Sequence, residues 1–290
     1  MSDVFSRFSR SIELIQASAR VLRSDKELIV LPLISGVASL IVGWAFLAPL
    51  MGHPEILAAA DNDPANMPLW VYGWLFAFYF VEYLIIIFFN TALVGAAIAR
   101  LSGGDPTVGS ALALAAVRIV PIIGYALVSA TLGVILRAIA EKLGFLGRLI
   151  EGIFGLAWTV ATFLVVPVLA AEGVGPIKAI SRSTELLGAT WGENLIGNAG
   201  ISLVTSLVAV VVFVLTVGAG VLAIYGGNLA AGIPLVVIGA ALIIAITLVS
   251  TALSGIYAAA VYYFALTGDA PRGFDDGLIR GAFNRKDAAI

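Results

Sequence analysis

Glu82 lies in the run FYFVEYLIIIFF, a single carboxyl among aromatic and aliphatic side chains. A charge held in such surroundings costs upward of about 2.5 kcal/mol, so an acidic residue there needs a cavity or a polar partner. Asn90 and Thr91 follow two turns along if the run is helical, and the three make a candidate intramembrane polar site. Two chemistries fit it: a proton- or cation-coupled site, or an interhelical hydrogen bond to a neighbouring hydroxyl. A second group is Glu172, Pro176 and Arg182, around the turn Gly173-Val174-Gly175-Pro176. Proline suits a helix's first turn, where its missing N–H is not needed. Pro176 is therefore expected to start a helix, with Glu172 pairing Lys178 or Arg182 at a sharp interfacial corner.

Little else in the chain could carry chemistry. There is no cysteine and one histidine, His53, so thiolate sites, histidine metal clusters and a Ser-His-Asp triad are excluded. Asp61 and Asp63 read as a solvated acidic loop, and Gly103-Gly104-Asp105-Pro106 as a turn rather than a phosphate cradle. No catalytic residue, metal ligand or cofactor site is expected, and the chain is not expected to be an enzyme.

The composition says what must position these residues. Of 290 residues, 61% are apolar and only 12% charged, with a net charge of −2 and a mean hydropathy of +1.07. A water-soluble chain carries about 25% charged residues to cover its surface. Half that charge puts most of the outside against hydrocarbon, and the near-neutral balance gives no field to recruit nucleic acid. A stretch of about 18 apolar residues suffices to span a bilayer core as a helix. Six are present, at 28–50, 69–99, 119–136, 149–171, 201–225 and 233–266. The first begins too late and runs too long for a signal peptide, so it reads as an anchor.

Orientation follows from lysine and arginine in the flanks. With both termini cytoplasmic, thirteen of these residues fall on the cytoplasmic side and three, Arg137, Lys142 and Arg148, on the other. Both termini are therefore expected on the cytoplasmic side of the membrane. The segment 137–148 is amphipathic and is expected to lie along the outer interface. Arg118 and Arg137 bracket the third span and are expected to snorkel to opposite headgroups. Ahead of the first span, Phe5, Phe8, Ile12, Ile15, Ala19 and Leu22 recur at helical spacing, with Arg7, Arg10, Arg20 and Arg23 mostly elsewhere around the helix. Such a helix lies in the membrane surface or packs on the chain's own spans; the two are compatible. Small residues at Ser35, Ser39 and Gly43, at Ala92, Gly95, Ala96 and Ala99, and at Ser254, Ala258 and Ala259 are expected packing faces. Asn194 and Asn198, near the fifth span's entry, read as caps.

A repeat is legible. SRSIELI at 9–15 returns as SRSTELL at 181–187, with a weaker echo in GSALALAAVRIV at 109–120. The expected architecture is all-α and integral to the membrane: one domain of three parallel units, each an interfacial helix followed by two spans. The unit bounds are about 1–102, 103–172 and 173–267, with a cytoplasmic tail at 268–290.

Three stretches carry a resemblance: FFNTALVGAAIARLSGGDPTVGSAL at 88–112, TFLVVPVLAAEGVGPIKAISRSTELLGATWGENLIGN at 162–198, and 257–283 with Tyr262, Gly268, Pro271, Gly273, Phe274 and Asp275. The chain resembles a prokaryotic six-span membrane family filed as a domain of unknown function, DUF6159. The resemblance implies a six-span inner-membrane protein and no particular activity. Its layout is more loosely similar to the membrane domain of some glycerophosphodiester phosphodiesterases, without their catalytic barrel. The function expected is a non-enzymatic scaffold that organises lipids or oligomerises, with membrane lipids and copies of itself as partners. The alternative is a channel or carrier for a small solute or ion, built around Glu82.

Overall fold

The computed structural model describes residues 2–53, 68–189 and 204–275. The expectations for Asp61, Asp63, Asn194, Asn198 and the tail beyond 275 lie outside the described residues. The helices are α1 (Ser2–Ser24), α2 (Glu27–Met51), α3 (Leu69–Leu101), α4 (Val108–Val117) and α5 (Ile119–Ala161), then α6 (Val165–Glu172), α7 (Pro176–Ala189), α8 (Val204–Tyr225) and α9 (Leu229–Thr267). Among the described residues there is no strand. Among the described residues six segments are long and apolar enough to cross a membrane: α2, Trp70–Leu101, Ile119–Leu136, Leu146–Glu172, α8 and α9. Their exteriors keep large apolar side chains outward, such as Leu40 (71% exposed), Val120 (75%) and Leu222 (74%). Water would penalise that surface, and hydrocarbon does not.

The segment 137–148 departs from expectation. It is not a loop but helix on both sides of a single break, Gly144, at φ 56° and ψ −122°. A Cβ added to Gly147 would lie 2.7 Å from the Cα and carbonyl oxygen of Ala140. Seven residues of straight helix would separate those positions by about 10 Å, so the chain reverses at Gly144. Glycine takes the left-handed backbone there without a Cβ penalty.

The last turn is also tighter than the sequence suggests. The sixth span, α9, starts at Leu229, where Asn228 Oδ1 accepts from the Ala231 N–H at 3.1 Å. That cap leaves Gly226-Gly227-Asn228 as the whole connection, with Gly227 at φ 82°. At 39 residues, α9 is about 58 Å long, well beyond a hydrocarbon core of about 30 Å.

By contacts the chain divides into two compact units that are not contiguous in sequence. The first holds residues 1–32, 97–105 and 189–290. In it α1 packs on α9 through Leu14, Ala17, Ser18 and Val21, all buried. The stripe buried against α9 is not the expected apolar face: Ile15, Ala19 and Leu22 are half-exposed, and the buried stripe lies about a third of a turn around the helix. The reason is shape: Ala17 and Ser18 permit a close approach that a ridge of larger side chains does not. The side chains of Phe5, Phe8 and Ile12 lie outside the described residues. In the same unit α8 and α9 form a glycine-locked hairpin. A Cβ on Gly220 would meet the Gly232 carbonyl at 2.9 Å and the Val236 nitrogen at 3.0 Å. One on Gly232 would meet the Gly220 carbonyl at 2.7 Å, and one on Gly239 would collide with Thr216. Midway along α8, Phe213–Gly218 is π-helical.

The second unit holds residues 33–96 and 106–188. Phe46 of α2 meets Trp74 and Phe78 of α3 at ring-centroid distances of 4.8 and 5.6 Å. Trp74 Nε1 donates to the Phe46 carbonyl at 3.1 Å, so this indole spends its polar end on a helix. Of the expected small-residue faces, Ala92 and Ala96 are buried, and Leu114 of α4 presses on Gly95. Gly43 is different: nothing lies within 4 Å of a Cβ built there.

Candidate functional site

The intramembrane candidates all sit on α3. Glu82 and Asn90 are half-buried and Thr91 is buried. Eight helical residues set Glu82 about 12 Å from Asn90 along the axis, and Thr91 points about half a turn away from Glu82. Thr91 Oγ1 donates to the Ile87 carbonyl at 2.7 Å, satisfied within its own turn. Thr131, Thr159, Thr216, Thr247 and Thr251 do the same, each to the carbonyl four residues back. A hydroxyl in hydrocarbon has this local acceptor always in reach.

A polar cluster that the sequence did not signal lies between the third and fourth spans. The Tyr125 hydroxyl is hydrogen-bonded with Ser129 and Thr162, and its ring stacks on Trp158 at 6.5 Å and 17°. The Tyr83 hydroxyl of α3 is 3.9 Å from where a Gly133 Cβ would be. At this cluster the fourth span is interrupted, for α5 ends at Ala161 and α6 begins at Val165. Backbone freed inside a membrane must find partners. The Thr162 N–H reaches Trp158 O at 2.9 Å, while the Leu164 N–H donates to Ser183 Oγ at 3.1 Å. Ser183 comes from α7, so this helix closes a gap in the fourth span.

The interfacial corner is assembled as a unit. Pro176 opens α7, and its ring fits against Gly124, whose absent Cβ would lie 3.1 Å from Pro176 Cγ. Arg182 Nε donates to Glu172 Oε1 at 3.3 Å and Arg182 Nη1 to Glu185 Oε1 at 2.8 Å. Glu185 is 67% exposed, so its pair contributes well under about 1 kcal/mol. Backbone geometry holds the corner more firmly. Gly173 ends α6 at φ 61°, and the Arg118 guanidinium occupies the space a Cβ there would need. Arg118 Nη2 donates to the Ala171 carbonyl at 3.4 Å. Arg118 thus folds onto the corner instead of reaching for a headgroup, because the end of α6 offers it a bare carbonyl. Sequence did contain one signal for this: glycine just past a helix and proline three residues on.

A second corner, in the first unit, was not anticipated. Asp25 joins α1 to α2 and is buried, with 7% exposure. Its Oδ1 accepts from the Glu27 N–H at 3.2 Å, while Oδ2 is buried without a hydrogen-bond partner. Burial raises its pKa above the usual carboxylate range, outweighing the Glu27 N–H and the Arg100 charge that act to lower it. Arg100 ties the corner together, donating to Ser24 O at 3.4 Å and pairing with Asp105 at 2.9 Å. The Arg272 N–H donates to Leu101 O at 3.3 Å, and its guanidinium covers Gly103, at φ 93°.

The sign of the pH effect at Asp25 follows. A folded-state pKa raised above the unfolded value stabilises the fold below the unfolded pKa, and that contribution is lost as pH rises through the folded one. Asp25→Asn keeps an amide oxygen as the cap and removes the charge. It is expected to be more stable than the parent at neutral pH and to lose the parent's decline between pH about 4 and neutrality. A variant no more stable at pH 7, or as pH-dependent as the parent, would overturn this; thermal unfolding in detergent across that range is the measurement.

The three stretches that suggested a family, and the corners just described, fall largely within residues 70–273, which match the family described as DUF6159, a family of unknown function. The chain belongs to this family. No curated protein matches it. The matched region takes in Glu82, the Tyr125 cluster and both residues of the Glu172–Arg182 pair; it ends at Gly273, whose missing Cβ would lie 3.0 Å from Val21 of α1.

Proposed function

We propose that this DUF6159 member is a non-enzymatic scaffold of the cytoplasmic membrane, with both termini on the cytoplasmic side, that organises lipids or assembles with copies of itself. One observation carries the reading: hydroxyls in the spans are satisfied within their own helix or at helix contacts, while the spans' exteriors are broad and apolar. The Tyr125 hydroxyl goes to Ser129 and Thr162, the Ser183 hydroxyl to a helix break, and the span threonines to their own carbonyls. Meanwhile Leu215 (67% exposed), Leu222 (74%) and Val237 (61%) face outward, as contacts to lipid or to another copy require. Nucleic acid is not among the expected partners, since the chain has net charge −2 and a nucleic-acid binder needs an excess of positive charge.

The competing reading is a carrier or channel using Glu82, and the interrupted fourth span favours it, because substrate sites of transporters often lie at broken helices. Reconstitution separates the two. The scaffold reading expects a defined oligomer or an ordered lipid annulus in nanodiscs, no ion or proton flux in liposomes, and unchanged behaviour for Glu82→Gln. A flux that Glu82→Gln abolishes would sink it.

A further inference from the structure

We propose that the exposed side of α1 is a binding surface for anionic phospholipid headgroups, formed by Arg20, Arg23 and Lys26. The argument starts from the buried stripe. Leu14, Ala17, Ser18 and Val21 are each at most 6% exposed, which fixes the way the helix faces. At about 100° per residue, Ile15, Ala19 and Leu22 fall on the next arc around, and Arg20 and Arg23 on the arc after that. The first arc touches the protein, the second is apolar and half-exposed, and the third is basic and exposed. A helix between protein and water would have no use for the apolar middle arc. A helix buried in the bundle could not keep the basic one. Protein, hydrocarbon and headgroup in that order are what a helix at a bilayer's edge meets.

Position along the chain agrees. Lys26 is exposed and stands next to Glu27, the first residue of a membrane-length helix, so it sits where that helix leaves hydrocarbon. Arg100 at the end of α3 reaches Ser24 O, which holds the end of a second span at the same level. The acidic neighbours do not cancel the arc. Asp25 is turned inward and buried and Asp105 is engaged by Arg100, so the exposed acids Glu13 and Glu27 stand against the three exposed cations Arg20, Arg23 and Lys26, and the surface keeps a positive surplus. Phosphodiester headgroups are the fitting partner because a basic arc beside an apolar one matches phosphate above acyl chain. The inference rests on the scaffold reading only in taking lipid as a partner.

The test uses the full chain in nanodiscs. Since the chain has no cysteine, Gln16→Cys, at an exposed position of α1, gives a unique site for a donor dye. Energy transfer is read to phosphatidylglycerol or phosphatidylcholine labelled in the acyl chain. The expected result is enrichment of phosphatidylglycerol by about threefold or more at low salt, as roughly fivefold per cation at a surface sets the scale. The enrichment should fade as added salt shortens the screening length to about 3 Å. Arg20→Gln/Arg23→Gln/Lys26→Gln should abolish it, and Arg148→Gln should leave it intact. Should the triple variant not fold, Arg23→Gln alone is expected to cut the enrichment about twofold. Equal transfer to both lipids, enrichment insensitive to salt, or enrichment that survives these substitutions overturns the proposal. None of these readouts involves flux or oligomeric state, so this proposal and the scaffold reading can fail separately.

Discussion

Gly232→Leu is expected to destabilise the chain by about 3 kcal/mol, at the upper end of overpacking costs. Its new Cβ would stand 2.7 Å from the Gly220 carbonyl oxygen and 3.0 Å from the Ile224 backbone nitrogen. Neither atom can rotate away, so the α8–α9 hairpin must open. Opening forfeits the close contact that substitutes for a hydrophobic driving force between helices in lipid. Gly43→Leu is the control, since nothing lies within 4 Å of a Cβ at Gly43, and it should be near neutral. Unfolding by SDS titration, followed by circular dichroism, makes the comparison. Equal stability of the two variants would contradict the glycine lock.

The second large effect is at the Glu172 corner. Gly173→Ala is expected to cost about 2 kcal/mol, because a Cβ at φ 61° carries a left-handed penalty of about 1–2 kcal/mol and also displaces the Arg118 guanidinium. Gly175→Ala, with open space around its Cβ, should cost little. A double-mutant cycle apportions the effect: in an Arg118→Ala background, Gly173→Ala should cost less while keeping its backbone part. If Gly173→Ala were as harmless as Gly175→Ala, the corner would not depend on this geometry. The Arg182 ion pairs are the smaller contribution, for exposed pairs are weak.

Much of the architecture was legible without coordinates. Each of the six expected spans has a counterpart within a few residues, because membrane length and hydropathy are one-dimensional properties that a sequence states directly. Pro176 as a helix start and the Glu172–Arg182 pair were legible too, being local. Other features were not. The 137–148 segment reads in sequence as an amphipathic connection along the interface; a single glycine, Gly144, makes it a helical corner. The side of α1 that meets the protein was not legible, because hydrophobicity marks Ile15 and Leu22 whereas close packing favours the smaller Ala17 and Ser18. Nothing in the spacing of Tyr125 and Thr162 announces that the two are engaged across helices.

By itself, the order of residues determined that this chain is helical, that six of its segments match a bilayer, and that Pro176 opens a helix. Those properties depend on the solvent each segment must suit and on hydrogen bonds closed within a few residues. Only the tertiary structure decided which glycines touch, that Ser183 fills the gap at Leu164, and that Asp25 and Arg118 turn inward. Such contacts join residues far apart along the chain, and they turn on distances of a few tenths of an ångström that composition and periodicity do not encode.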